Sequence, residues 1–355
     1  MPRRASAAAR ASGPSIEDFP ATRYQGSKLK LLGWLWEQLE PLRFDSVVDL
    51  FGGTGSVSYL FKVHGKQVHY NDCLRSNHFI GRALIENPST RLDSEDVAAL
   101  VAPRAGGSSD FIARTFANIY YPEEENRLLD VMAQNLAAMP DGYKQALAYY
   151  AVFQACIAKR PYNLFHRANL YMREARVERT FGNKATWDRP FVDHLLRLAK
   201  DASRAVFDNG RANLATCGDA ALIPGRADLA YLDPPYISGK GVGVDYRGFY
   251  HFLEGLTEYA RWPELVDGEY KHRPYRRVDS PWTRPGRIAS AFDAVFERWR
   301  DSILVVSYRS DGIPSVEELR RLLARHKKRV VVRTLEYQYA LSRNQTSREV
   351  LLIAE

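Results

Sequence analysis

The sequence predicts an α/β fold: a Rossmann-like sheet with helices on both faces, split by an inserted helical segment. Three observations predict it. The β-branched run Phe44–Leu50 ends in a glycine turn, Phe51-Gly52-Gly53-Thr54-Gly55, with helical spacing after it. A second short strand, Gln67–Tyr70, stops at Asn71-Asp72, which puts a carboxylate at a strand end. Strand signals then disappear between about residues 76 and 211 and return at Ala212–Cys217 and Asp228–Leu232.

In chain order, residues 1–19 are rich in Ala, Arg and Ser and read as a flexible tail, either an organellar transit peptide or an arm touching nucleic-acid phosphates. Leu31, Leu32, Leu35 and Leu39 give helical spacing over Lys28–Leu39. The first strand, the glycine turn, a helix at Ser56–His64, the second strand and a helix at Leu74–Ile85 come next. Residues 110–158 carry only helical patterns, at Phe111–Ile119, Glu125–Met139 and Tyr143–Ile157. The stretch 161–187 is aromatic, basic and turn-rich and reads as a hairpin, and a helix at Phe191–Val206 closes the insertion. Later strands are predicted at Ser302–Tyr308, Arg329–Leu335 and Glu349–Ile353, with helices near Ala289–Arg300 and Ser315–Arg325. The expected division is a tail at 1–19, a sheet domain at 20–75 and 212–355, and an insertion at 76–211.

Composition sets limits. Over 355 residues, 45% hydrophobic content supplies a packed core and excludes global disorder. The longest apolar run, Ala146–Ala158, is broken by Gln154 and reads as a buried helix rather than a membrane span. Cys73, Cys156 and Cys217 are odd in number and far apart, which argues against a disulfide framework and a CxxC metal site and for a reducing, cytoplasmic setting. The net charge of +8 favours a polyanionic partner. It is concentrated at 159–189, 261–287 and 320–333; each block is either a nucleic-acid surface or a solvated face.

Three motifs carry chemistry. Asp49-Leu50-Phe51-Gly52-Gly53-Thr54-Gly55-Ser56 lets the backbone turn sharply and approach a ligand below a helix N-terminus, while Asp72 can accept both hydroxyl protons of a ribose. This much also fits a dehydrogenase. Asp233-Pro234-Pro235-Tyr236 ends a buried strand. An amino group on an aromatic ring is a poor nucleophile because its lone pair is delocalised. Two acceptors on its N–H bonds, Asp233 and the Pro234 carbonyl, draw that pair back to nitrogen while Tyr236 stacks on the ring; the alternative is an ordinary proline turn. Tyr24-Gln25-Gly26-Ser27-Lys28 precedes the first helix, where Ser27 can act as a simple cap.

In combination and in order, YQGSK, DLFGGTGS, YND, CGD and DPPY resemble the DNA adenine-N6 methyltransferases of the Dam-like, D12 class, over most of residues 20–355. The resemblance implies S-adenosylmethionine rather than NAD, no metal, and base flipping from double-stranded DNA. It implies that Tyr24 and Lys28 close over the cofactor and that the loop after Asp49, with Phe51, Gly52, Gly53 and Gly55, cradles its methionine part. Asp72 is then expected to hold the ribose, Asp219 to meet the adenine amino group, and Asp233 to lie between cofactor and target base. Ala220 stands where the family often has an aromatic, and Ile223 is the candidate to replace its stacking.

Within the insertion, Asn163, Arg167, Asn169 and Phe181-Gly182 resemble the family's DNA-entering hairpin. Arg160, Arg167 and Arg173 can contact phosphate or guanine, Asn163 or Asn169 can pair with adenine, and Tyr162 and Phe165 can fill the stack left by an extruded base. The alternative for each aromatic is packing on the helices beneath. Gly239, Gly241 and Gly243 suggest a mobile lid. His166 reads as a DNA contact, His251 as no general base, and Tyr308 as a wall of the target pocket. Residues 261–287 read as a second DNA arm or a partner surface. The expected assembly is a monomer or a DNA-dependent dimer, in a restriction-modification or defence setting. Rival readings are another sp² nitrogen (cytosine N4, an RNA base, a protein amide) and a non-catalytic DNA-binding subunit keeping the fold.

Overall fold

The computed structural model describes residues 13–22, 24, 26–104, 109–175, 184–336 and 348–355. Most of the tail, Arg23, Gln25 and the expected Phe181-Gly182 pair lie outside them. Nine strands are formed among the described residues: β1 (Ser46–Asp49), β2 (Gln67–Asp72), β3 (Leu214–Cys217), β4 (Leu229–Leu232), β5 (Ile237–Ser238), β6 (Ile303–Arg309), β7 (Gly312–Ile313), β8 (Val330–Glu336) and β9 (Arg348–Ala354).

Seven of them make one sheet in the order β3-β2-β1-β4-β6-β9-β8. The pairs among β3, β2, β1, β4 and β6 are parallel, whereas β9 runs antiparallel to both β6 and β8. Side chains alternate between two cores. Val47, Leu229, Tyr231 and Val305 face one side, and Val48, Ala230, Leu232 and Leu304 the other. The second face is covered by helices Pro285–Arg298 and Val316–Ala324.

The first face carries the inserted helices. Helix Tyr143–Ala158 is buried from Gln145 to its end and packs between Arg75–Gly81 and Phe191–Ala205. Its apolar residues belong to the same core as the sheet face, so the insertion has no separate core. Helix Arg75–Gly81 packs on β2 and β3 as the sheet's own crossover, although it falls mostly within the expected insertion.

Several local expectations differ from the structure. The helix predicted at Phe111–Ile119 stops at Thr115, and Asn118 adopts a positive φ of 60°. The segment 161–187 holds no strand among its described residues; it is bends with short helices at Tyr171–Glu174 and Lys184–Asp188. The glycine run after Tyr236 forms a tight turn. Ser238 N–H donates to Val242 O at 3.0 Å, and a Cβ at Gly243 would meet the Thr283 backbone. Among the described residues no helix is long and apolar enough to cross a membrane.

Candidate active site

The strand order reverses direction at β1, which lies between β2 and β4. In open α/β sheets, ligands bind outside the carboxyl ends of strands at such a switch point. A cleft opens there. It is lined by Tyr24, Lys28, Asp49, Phe51, Gly52, Gly53, Asp72 and the whole Asp233–Tyr236 turn, which are far apart in sequence.

The floor is the glycine loop, and its shape is set by Tyr70. A Cβ on Gly52 would collide with the Tyr70 ring, so only glycine lets the loop lie on it. The Tyr70 hydroxyl donates to Gly53 O at 2.7 Å. Gly53 and Gly55 take positive φ angles of 52° and 78°, which hand the chain into helix Ser56–Val63. Gly55 caps that helix and does not itself line the cleft.

Asp72 is fixed by its neighbours. One carboxylate oxygen accepts from Gly53 N–H at 2.9 Å and Asn77 Nδ2 at 3.1 Å; the other accepts from Leu74 N–H at 2.8 Å. Burial raises its pKa and these hydrogen bonds oppose that. Asp49 is almost fully buried. Its Oδ2 accepts from Ser58 Oγ at 2.7 Å, while Oδ1 is buried without a protein partner. Burial pushes its pKa up to about 7 against the Ser58 hydrogen bond.

Opposite the floor, Asp233 leaves β4. Its Oδ1 accepts from the Tyr236 hydroxyl at 2.7 Å and lies 3.3 Å from Lys28 Nζ. Burial pushes the Asp233 pKa up to about 6, Lys28 opposes the rise, and Glu349 adds to it. The Tyr236 ring meets Tyr308 edge-on at 5.1 Å, which places Tyr308 behind it. Lys28 lines the cleft on the Asp233 side. Its ammonium donates to the Tyr236 hydroxyl and to Glu349 Oε1, the latter at 2.8 Å. A buried ammonium needs carboxylate partners, and the DPPY side of the cleft supplies them.

Tyr24 stacks on Tyr250 at 4.3 Å and on Tyr246 at 5.8 Å, each at an interplanar angle of 6°. Tyr246 lines the cleft beside it. Asp219 is outside the main cleft. It accepts from Ala221 N–H at 2.9 Å and borders a shallower recess that shares the Trp282 wall with the cleft. Ile223 is buried in the core beneath Gly218, so it offers no stacking surface. Trp282, edge-on to Phe51 at 4.8 Å, is the aromatic at this end. The sequence placed it in a basic segment without a role; Ser280 and Pro281, which turn it inward, were its only local signal. Trp262 and Tyr275 of the same segment are buried, while Tyr270 and the basic residues Arg261, Lys271, Arg276, Arg277, Arg284 and Arg287 are exposed.

The expected DNA contacts divide in two. Tyr162, Asn163 and Arg167 are exposed. Arg160, Phe165, Asn169 and Arg173 are buried, and this corrects their assignment as DNA contacts. The Arg160 guanidinium lies 4.2 Å from both the Tyr120 and Phe165 ring centroids and donates to the Tyr162 and Leu164 carbonyls. Phe165 stacks on Phe252 at 5.1 Å. The Asn169 side chain is buried without a protein partner. Arg173 forms a bidentate pair with Glu125 at 2.6 and 2.8 Å and donates to Trp187 O. For the two arginines the physical reason is shared: the described part of the segment forms no strand, and buried cations satisfy carbonyls that a strand would have paired. His166 is half-buried against Phe249. His251 is fully buried beside Tyr120 and Phe165, away from the cleft, with its pKa driven down to about 3 by burial.

The model of the D12 class N6 adenine-specific DNA methyltransferases matches residues 24–255. The chain is 28% identical to the type II methyltransferase M2.HphI of Haemophilus parahaemolyticus, over 95% of this chain and 98% of that protein. It is 23% identical to the type II methyltransferase M.NlaIII of Neisseria lactamica, over 89% and 91% respectively. Against the type II methyltransferase M.FokI of Planomicrobium okeanokoites it is 25% identical over 86% of its own length but spans only 47% of that longer protein. The chain belongs to the D12 class of N6 adenine-specific DNA methyltransferases, and its activity is site-specific DNA methylation.

Proposed function

We propose that the protein transfers a methyl group from S-adenosylmethionine to the N6 amino group of an adenine rotated out of duplex DNA. The observation that carries this reading is Asp233. It is a half-buried carboxylate at the end of β4, oriented by Tyr236 and Lys28 over a cleft floored by the glycine loop. Asp233 and the Pro234 carbonyl accept the two N–H bonds of the amino group, which returns its lone pair to nitrogen, and Tyr236 stacks on the base. These hydrogen bonds strengthen as nitrogen becomes positive, so they favour the transition state over the bound substrate.

The residues of the floor fit the donor. Asp49 lines the cleft with its Oδ1 unsatisfied, and the Gly52-Gly53 backbone beside it carries no side chain to bar close approach. Asp49, Phe51, Gly52, Gly53 and Asp72 then hold S-adenosylmethionine, with Tyr24 at one end and Trp282 at the other. When bound it supplies an electrophilic methyl on sulfonium; the chain supplies position, desolvation and the acceptors. Tyr162, Asn163 and Arg167 form the exposed DNA face of the insertion. The type II names of the relatives support a restriction-modification setting, and three free cysteines fit a reducing cytoplasm.

The test is purified protein with tritiated S-adenosylmethionine and unmethylated genomic DNA, followed by nucleoside digestion and mapping. N6-methyladenine confined to one short motif is expected, and Asp233→Ala should abolish it. N4-methylcytosine in the digest would move the target to that base. Cofactor binding without transfer would return the chain to the binding-subunit reading.

A further inference from the structure

The last strand brings to the reaction centre a charged residue that belongs to none of the motifs. Glu349, the second residue of β9, is fully buried and accepts hydrogen bonds from Ser307 Oγ at 2.5 Å and Lys28 Nζ at 2.8 Å. The same ammonium is 3.3 Å from Asp233 Oδ1, so it pairs with both carboxylates and lies closer to Glu349. We infer that Glu349 is a positioning residue for methyl transfer: it holds the Lys28 ammonium as a fixed counter-charge that keeps Asp233 ionised without closing onto it. The inference rests on the reading of Asp233 as the acceptor for the target amino group.

Two carboxylates share the Lys28 ammonium. Asp233 is the stronger acceptor for an N–H bond when ionised, yet burial opposes that form. Without Lys28, two buried carboxylates would share a small space and titrate together at raised pKa. Without Glu349, the ammonium keeps one carboxylate and closes on it, and the Asp233 oxygens that should receive the amino group hold lysine instead. The other titratable groups facing Asp233 are Tyr236 on its own turn, Asp49 from β1, Tyr231 from β4 and Tyr246 from the helix Tyr246–Phe249. They are common to every variant below, so a change in pH profile reports on Lys28 and Glu349.

The test is single-turnover methylation of a duplex carrying the mapped motif, followed across pH, with calorimetric S-adenosylmethionine binding and thermal melting alongside. Glu349→Gln keeps the shape and can still accept from Ser307. It should lose about 10- to 100-fold in rate with cofactor affinity little changed. Its acid limb should move down by roughly one pH unit, because a neighbouring negative charge is gone. Lys28→Met should move the limb up by a similar amount, and the double variant should bring it back between the two. Lost packing does not produce opposite shifts. Unchanged rate and limb in Glu349→Gln would overturn the inference, as would both single variants moving the limb the same way. If Glu349→Gln fails to fold, Glu349→Asp decides: it keeps the charge, so a limb displaced downward there overturns the inference. The wild-type nucleoside digest is read first. Absence of N6-methyladenine there fells the underlying reading, whereas wild-type methylation with unshifted variants fells only the role of Glu349.

Discussion

Two buried charge clusters stand in this molecule with opposite stoichiometry. At the sheet's carboxyl edge, Lys28 is shared by Asp233 and Glu349. Beneath the 161–187 segment, Lys159 and Arg173 share Glu125, at 2.9 Å and 2.6 Å. The two lysines respond in opposite directions. Burial lowers both, but two carboxylates outweigh it at Lys28 and raise its pKa, whereas Glu125 alone does not and Lys159 stays lowered. In the second cluster the surplus cation is directed at backbone: Lys159 donates to the Trp187 and Arg189 carbonyls, and Arg173 to Trp187. Desolvated ions are costly, so each cluster has a compensating use. Surplus acid leaves lone pairs facing a cleft, which suits chemistry; surplus base ties down an irregular loop, which suits architecture.

The contrast can be broken by mutation. Asp233→Ala should reduce methyl transfer by about a thousandfold or more, because it removes an acceptor aimed at developing charge, while melting stays near wild type. Arg173→Ala should do the reverse. Glu125 keeps Lys159 but loses its bidentate partner, and Trp187 O loses a donor, which should cost about 1.5–3 kcal/mol in urea unfolding. A large turnover defect in Arg173→Ala at full stability would refute the division.

The acid-rich cluster also predicts a pH dependence of folding without ligand. Asp49 and Asp233 have folded pKa values raised to about 7 and about 6, so the folded state binds more protons than the unfolded state above the ordinary carboxylate range. Stability should therefore fall as pH rises from about 4 to about 7. Asp49→Asn should recover about 2 kcal/mol at pH 8 in urea melts while weakening S-adenosylmethionine binding. Smaller still, Tyr162→Ala and Arg167→Ala should each weaken duplex binding about tenfold without changing the melting temperature. Smallest of all, Arg320→Ala and Arg321→Ala should change neither, because both arginines pair on the surface with Glu317 of their own helix.

The sheet and its cleft were legible because their signals are local. A β-branched run before glycines, and prolines after a buried run, each declare themselves within ten residues or so. The insertion was legible as helices but not as a surface. In 161–187 basic and aromatic residues recur without a fixed spacing, and no period tells inside from outside where the described residues form no strand. Arg160 and Phe165 therefore looked equivalent to Arg167 and Tyr162 until packing separated them. Trp282 was overlooked because it sits in a basic segment whose other tryptophan, Trp262, is ordinary core.

By itself the sequence determined the strand–glycine-turn–helix unit, the acid at the end of β2 and the rigid DPPY turn after β4, since each follows from backbone preferences over a few consecutive residues. Tertiary structure alone decided what Lys28 does. Its partners, Asp233 and Glu349, lie more than two hundred and three hundred residues away in sequence. They meet because β9 is antiparallel: reversing that strand carries its first residues to the edge where its parallel neighbours end. No local pattern encodes that reversal. It arises when β9 pairs between β6 and β8, with Glu349 beside Arg309 and Leu335, and so closes the ion cluster at the mouth of the cleft.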